Sequence, residues 1–423
     1  MEFLNFLNKK DSKLENLFEE NQVVPFFQPI ISLEEKSIFG YESLGRLKTK
    51  EGKIFSLGEF FTSGPELLGL QKNSVEFEKL RSDIDRDLRE LAFHALAKDK
   101  NENSKLFLNI SPKTMFWYLK DKKNTTPRSI QLCRELGINP RRIVIEITED
   151  HLDVNLETLG PLVRLYRETG FLIAIDDVGS KSSNLDRIGT FHPDIIKIDM
   201  QMFKKSLVNR NYSEIIYNLS KLAQSLGIAL LFEGVEKKEE LNKALDFGAK
   251  FVQGYLFSAA KEELSNKDIF KNELNEYINF FYYTKYDEII NRSEWEKRIE
   301  EILKEIPLEE IFQKEGETNN ILEIFDIDPS IKRFYVTDKY GNQITPNFIK
   351  KNESMALIDP TAKNKNWTWR PYFLNHIYNS YRFPEKWVIS QPYMDVTENT
   401  LFRTFSKTIN ESAFIFIDVT YTE

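Results

Sequence analysis

The chain has 423 residues, 41% of them hydrophobic and 29% charged, which reads as soluble, globular and too long for one ordinary core. Its 58 Lys+Arg against 66 Asp+Glu leave a net charge of -8, without the basic excess of a duplex-DNA binder, so an anionic substrate needs local metal ions or a particular arginine. One cysteine, Cys133, rules out an intramolecular disulfide, and four scattered histidines (His94, His151, His192, His376) argue against zinc and for oxygen-ligated Mg²⁺ or Mn²⁺.

Met1 to Lys13 carries acids and lysines where a signal peptide needs an apolar stretch, and no run approaches the roughly 18 apolar residues of a membrane span. A cytoplasmic protein is expected. From Val23 to about Ala260, strand-like runs at 24–31, 37–44, 105–110, 142–148, 171–177, 194–199, 228–233 and 250–255 alternate with helix-like segments, such as the one carrying Ile215, Leu219, Leu222 and Leu226. That alternation fits a (β/α)₈ barrel. Only Leu33-Glu34-Glu35-Lys36 separates the first two runs, too short for a parallel crossover, so this TIM-like barrel begins with an antiparallel strand.

After Ala260 the pattern turns helical. Ser293 and Glu296 form a capping box, Trp295, Ile299, Ile302, Leu303 and Ile306 recur on one helix face, and Pro307 ends or kinks it. From about Asn319 short β segments follow: Phe334–Thr337 entering the turn Asp338–Gly341, then Phe402–Phe405 and Ala413–Val419. The expected division is a barrel over 1–262, a helical connector over 263–316 and a small α+β domain over 317–423.

Five apolar runs each end on a polar group: Leu106 to Asn109, Ile143 to Glu146, Leu172 to Asp176-Asp177, Ile195 to Lys197, and Ala229 to Glu233. In a parallel barrel, functional groups sit where such strands end. Burying a lone carboxylate costs several kcal/mol unless a cation or donor compensates, so a ring of acids at one mouth implies bound cations.

The motifs are Tyr41-Glu42-Ser43-Leu44-Gly45-Arg46, Leu108-Asn109-Ile110-Ser111-Pro112, Ile145-Glu146-Ile147-Thr148-Glu149, Ile175-Asp176-Asp177-Val178-Gly179, Ile196-Lys197-Ile198-Asp199, Phe232-Glu233-Gly234-Val235-Glu236 and Gln253-Gly254-Tyr255-Leu256-Phe257. In order and spacing they resemble the EAL family of cyclic di-GMP phosphodiesterases. The resemblance covers about residues 20–260 and implies a second-messenger hydrolase that cuts cyclic di-GMP to pGpG, often as a homodimer. It implies that Glu42, Asn109, Glu146 and Asp176 hold one Mg²⁺ or Mn²⁺, with Asp176 bridging to a second ion on Asp177. Lys197 and Glu233 would stand by the attacking water, completing a catalytic set with Glu42 and Asp177. Gln28, Leu44, Arg46, Glu236 and Gln253 would contact substrate, Gln28 and Glu236 reading guanine edges, and Glu149 would anchor a loop.

Physical chemistry accommodates these roles. Two ions about 3.5–4 Å apart clamp the attacking and leaving oxygens of an in-line displacement at phosphorus. Adjacent aspartates supply bridging and terminal oxygens if the backbone bends between them. Arg46 suits a phosphate oxygen bidentately, and the pKa of Lys197 is expected to fall in a dry, cationic setting.

The loop Val178-Gly179-Ser180-Lys181-Ser182-Ser183-Asn184 departs from the family form by losing both aromatics and the second glycine, with Lys181 standing there instead. This makes a receptor that binds cyclic di-GMP without cutting it the alternative. The loop and the tail resemble the YkuI-type subgroup, in which a PAS-like domain, more loosely similar to Cache sensors, follows the barrel. There Trp369, Arg370, Tyr372 and Asp418 are candidate contacts for an unknown small ligand or protein, because a guanidinium among aromatic faces suits a carboxylate or other anion. Core aromatics with one structural arginine explain the same cluster.

Overall fold

The computed structural model describes residues 21–58, 61, 75–110, 126–147, 156–179, 184–306, 324–352, 355–395 and 400–421. The chain divides into two compact units, Met1–Thr284 and Lys285–Glu423.

In the first unit, long Val/Ile/Phe runs make β1 (Gln22–Ser32), β2 (Ser37–Lys48), β4 (Lys105–Ile110), β5 (Ile143–Ile147), β6 (Leu172–Val178), β7 (Ile195–Ile198), β8 (Ala229–Phe232) and β9 (Phe251–Gln253). A short β3 (Ile54–Ser56), absent from the sequence reading, adds to the edge of β2. β2 and β4 to β9 pair in parallel. β1 runs antiparallel to both β2 and β9 and closes the barrel, with Gln28 opposite Glu42 and Ile30 opposite Gln253. The short connection after Ser32 therefore makes the expected hairpin.

Strand alternation sets the barrel interior. Ile30, Phe107, Val144, Ala174, Ile195, Leu231 and Phe251 form one buried apolar layer inside it. Opposite-facing residues such as Leu106, Ile145, Ile173, Ile196 and Phe232 join the larger core beneath the helices. In the helix Arg210–Leu226 the buried residues are Ile216 and Ala223, with Tyr212 and Leu219 packed against the core. The expected stripe through Ile215 and Leu226 is rotated outward, leaving them 52% and 54% exposed. Both stripes satisfy helical periodicity. The observed one places the small Ala223 against the core, where it allows a close approach.

The division between units falls within the helix Lys271–Lys304. Ser293 lies inside this helix and starts none, so the capping-box reading is corrected; Glu296 instead accepts a hydrogen bond from Arg403 Nη1 at 2.5 Å. Ile299, Leu303 and Ile306 are buried as their spacing predicted, while Pro307 lies outside the described residues. The second sheet comprises β10 (Ile331–Asp338), β11 (Asn347–Asn352), β12 (Met355–Asp359), β13 (Val388–Ile389), β14 (Tyr393–Met394), β15 (Leu401–Asn410) and β16 (Ala413–Thr420). Its order is β12-β11-β10-β16-β15-β13, with β14 also on β15. Its core joins Phe334, Phe405, Ile415 and Ile417 to the end of the long helix.

A candidate metal-dependent site at the barrel mouth

Each residue of the inner apolar layer is followed, two positions further toward the same barrel end, by a polar one. Phe107 leads to Asn109, Val144 to Glu146, Ala174 to Asp176, Ile195 to Lys197, Leu231 to Glu233 and Phe251 to Gln253. On the reversed β1 the step runs backward, from Ile30 to Gln28, and β2 supplies Glu42 opposite it. Because side chains alternate along a strand, all eight barrel strands deliver one polar group to one rim.

Lys197, 1% exposed, stands at the centre. Its Nζ lies 2.7 Å from Glu146 Oε1, 2.8 Å from Glu233 Oε1, 3.0 Å from Asp176 Oδ1 and 3.5 Å from Glu42 Oε2. Glu42 is tied on both oxygens, accepting from Gln253 Nε2 at 2.7 Å and Asn109 Nδ2 at 3.0 Å, and Gln253 Nε2 also donates to Gln28 Oε1 at 3.2 Å. One ammonium does not neutralise four carboxylates. Burial raises Glu146 well above its usual range, burial also raises Asp176, and it pushes Glu233 up to about 8, each against the pull of Lys197.

The expected fall in the pKa of Lys197 belongs to an ion-filled site, and the side chains by themselves act the other way. Burial opposes its charge, but Asp176, Glu146, Glu233 and Glu42 outweigh burial and hold it well above the ordinary lysine range. The expectation assumed a cationic surrounding, whereas the side chains alone are anionic.

This donor set fits divalent ions. Glu42, Glu146 and Asp176 form one group whose oxygens lie within 4.8 Å of one another; Asp176, Asp177 and Glu233 form a second, and Asp176 belongs to both. Among the described residues, the fully buried Glu146 has no partner but the Lys197 ammonium beside its Oε1, as expected of an acceptor placed to meet cations. All are hard oxygen donors, suited to Mg²⁺, Mn²⁺ or Ca²⁺. The backbone bends where two adjacent ligands require it: Asp177 has φ 58°, and the β6–β7 register shifts between Ile175 and Val178. Asp177 N also donates to Asp176 Oδ1 at 3.0 Å.

Among the substrate candidates, Leu44 and Arg46 follow Glu42 on its own strand face at i+2 and i+4 and are half-buried. Arg46 Nη1 donates to Gly45 O at 3.0 Å; burial lowers its pKa, opposed by Tyr255 and Glu42. Glu236 follows β8, its Oε2 3.4 Å from Lys204 Nζ. Asp199 caps the helix Met200–Ser206, accepting from Met202 N at 2.9 Å. Glu149 and residues 180–183 lie outside the described residues. Tyr255, quoted in its motif but given no role, is 69% exposed and near enough to Arg46 to act on its charge.

The four sensor candidates fall in two neighbourhoods of the second unit. Arg370 stacks over Trp369 at 4.3 Å. Asp418 is held instead by Arg333 Nε at 2.6 Å, Thr404 Oγ1 at 2.7 Å and the Tyr393 hydroxyl at 3.0 Å; Arg333 also donates to Asp395 at 2.9 Å. Tyr372 lies between, its hydroxyl 2.8 Å from that of Tyr335 and its ring 6.3 Å from that of Tyr393. Arg333 was missed by sequence reasoning, its one signal being a lone arginine in the strand Ile331–Asp338.

The chain resembles known proteins over nearly its whole length. The EAL domain model matches residues 11–260, and that of an EAL-domain associated signalling protein domain matches residues 261–423. The chain is 31% identical to the uncharacterized EAL-domain containing protein YkuI of Bacillus subtilis, over 96% of this chain and 97% of that one. The crystal structure of YkuI in complex with the substrate cyclic di-GMP and calcium superposes with a TM-score of 0.83, covering 98% of this chain and 100% of that one at 28% identity. The probable cyclic di-GMP phosphodiesterase PdeG of Escherichia coli is 28% identical over 58% of this chain, which spans under half, 46%, of PdeG.

Proposed function

This chain belongs to the EAL-domain family and carries that family's associated signalling domain; on that premise we propose that it is a Mg²⁺- or Mn²⁺-dependent phosphodiesterase that linearises cyclic di-GMP to pGpG. The observation that carries the reading is the pair of carboxylate groups sharing Asp176, with Lys197 between them at the barrel mouth. Glu42, Asn109, Glu146 and Asp176 would hold one ion, and Asp176 and Asp177 the other, with Glu233 close beside that second pair. When bound, such ions polarise the phosphoryl oxygen and stabilise the charge of an in-line displacement.

The chain's own residues do the rest. Arg46 fixes the scissile phosphate, while Gln28, Leu44, Glu236 and Gln253 position the nucleotide. Lys197 orients the attacking water. Glu233, the most exposed of the four carboxylates around it at 20%, takes the water's proton. The water oxygen bonds to phosphorus as the bond to the ribose 3′ oxygen breaks, and that oxygen takes a proton from solvent. Glu149 anchors the neighbouring loop, and the second unit, through Trp369, Arg370, Tyr372 and Asp418, sets the barrel's output. The protein pairs as a homodimer, which light scattering tests.

Incubation of the purified protein with cyclic di-GMP and Mn²⁺ or Mg²⁺ should yield pGpG by liquid chromatography, and Glu42→Ala or Asp176→Asn should abolish it while the protein remains folded. Full activity in either variant refutes the ligand assignment. A second reading, a receptor that binds without cutting, is favoured by the sequence of the loop 178–184. Tight binding with no pGpG across metals and pH would establish it, and turnover gained by Lys181→Gly would identify the loop as the limit.

A further inference from the structure

The helix Pro371–Arg382 turns Phe373 and His376 into the second unit, both 0% exposed. Its outer side is apolar along one stripe, beside a polar one of Asn375, Asn379 and Arg382. Leu374, Ile377, Tyr378 and Tyr381 recur at i, i+3, i+4 and i+7, so they share a face, and they are 57%, 40%, 60% and 91% exposed. Trp369 before the helix and Phe383 at its end are 66% and 47% exposed. Single exposed apolar residues need no explanation, but six large ones within fifteen positions do.

Cations stand among these rings. Arg370 lies 4.3 Å over Trp369, Arg382 5.5 Å over Tyr378 and 5.6 Å over Phe383, and Lys386 5.4 Å over Phe383. From Pro360 to Pro384 there is no Asp or Glu, in a chain that has 66 of them. Glu385 follows and Glu300 feels the charge of Lys386, while Lys363, Lys365, Arg370 and Arg382 are the cations inside the acid-free stretch.

We propose that this face docks on an anionic membrane surface, with Leu374, Ile377 and the aromatic rings entering the headgroup layer and the arginines meeting lipid phosphates. Tryptophan and tyrosine favour that layer because each has an apolar body and a polar tip, and nearby arginines add attraction to anionic lipid. A second copy of the face would gather Arg370 and Arg382 of both copies into one interface with no acid between residues 360 and 384 to meet them. An acidic peptide would be held by a groove, whereas Tyr381, at 91% exposure, projects.

The full chain should co-sediment with phosphatidylcholine vesicles containing phosphatidylglycerol, weakly with phosphatidylcholine alone, and less as salt rises. The double variant Ile377→Ser/Tyr381→Ser, and separately Arg382→Glu, should weaken the first by about tenfold or more, since each removes buried apolar area or attraction. Every substituted residue is exposed, and unchanged thermal melts would show that the fold survives. Failure of the full chain to sediment with the anionic vesicles would overturn the proposal. So would binding unchanged in both variants, capture of an acidic peptide through this face without vesicle binding, or self-association that the double variant abolishes.

Discussion

Lys197 acts as the counter-ion of its site. Removing one partner of a buried ion pair leaves an uncompensated charge, at a cost of about 3–5 kcal/mol, and Lys197 serves four carboxylates at once. Lys197→Met should therefore lower the melting temperature of the metal-free protein sharply and abolish pGpG formation. Mn²⁺ should restore much of the melting temperature without the activity; no rise in the variant's melting temperature on adding Mn²⁺ would show that the carboxylates do not take an ion. His376 presents the opposite case. Buried with Nδ1 2.9 Å from Ser406 Oγ and its ring 4.5 Å from that of Phe414, it is lowered by burial to about 4. A depressed imidazole keeps its stability above the unfolded pKa near 6.5 and loses it as pH falls toward 4, by on the order of 3 kcal/mol. His376→Gln should flatten that part of the stability–pH curve, and an unchanged slope would refute the assignment.

At the scale of elements, the turn ending β6 seats the second ligand group. Gly179 has φ 103°, and a Cβ there would fall 1.8 Å from Met202 Sδ. Gly179→Ala should cost about 1–3 kcal/mol in backbone strain alone, with the clash added, and should weaken metal binding through Asp177. In a Met202→Ala background, where the clash is gone, Gly179→Ala should cost only the backbone part, as chemical denaturation of both single variants and the double variant would measure. An equal cost of Gly179→Ala in both backgrounds would place the whole of it in the backbone. This turn also marks where sequence legibility stops. The eight barrel strands and their polar ends were legible because strand alternation fixes direction: once Val144 is inside, so is Glu146. The bend at Asp177 was foreseen only as a requirement of two adjacent ligands. Helix rotation was not legible, since Ile215 and Ile216 both begin acceptable stripes and only packing around Ala223 selects one. Nor was the partner of Asp418 legible, because antiparallel pairing of β10 with β16 brings Arg333 opposite it across 85 residues of sequence.

For the whole molecule, the decisive feature is that each unit has its own hydrophobic core. One gathers residues from Phe27 to Leu274, the other residues from Ile299 to Val419. Cooperative unfolding follows a shared core, so two cores imply two transitions in calorimetry. Their linkages differ. A ligand that binds only the folded barrel stabilises it by mass action, so cyclic di-GMP with Ca²⁺, an ion present with that nucleotide in the YkuI structure, should raise one transition and leave the other in place. Acidification from pH 6.5 toward 4 acts on the second unit through His376, lowering the other transition, and His376→Gln should remove that histidine-dependent part alone. A single transition answering both perturbations would show that the cores unfold as one. A ligand bound by one unit would then be felt thermodynamically by the other, the coupling that a sensor domain needs to govern a barrel.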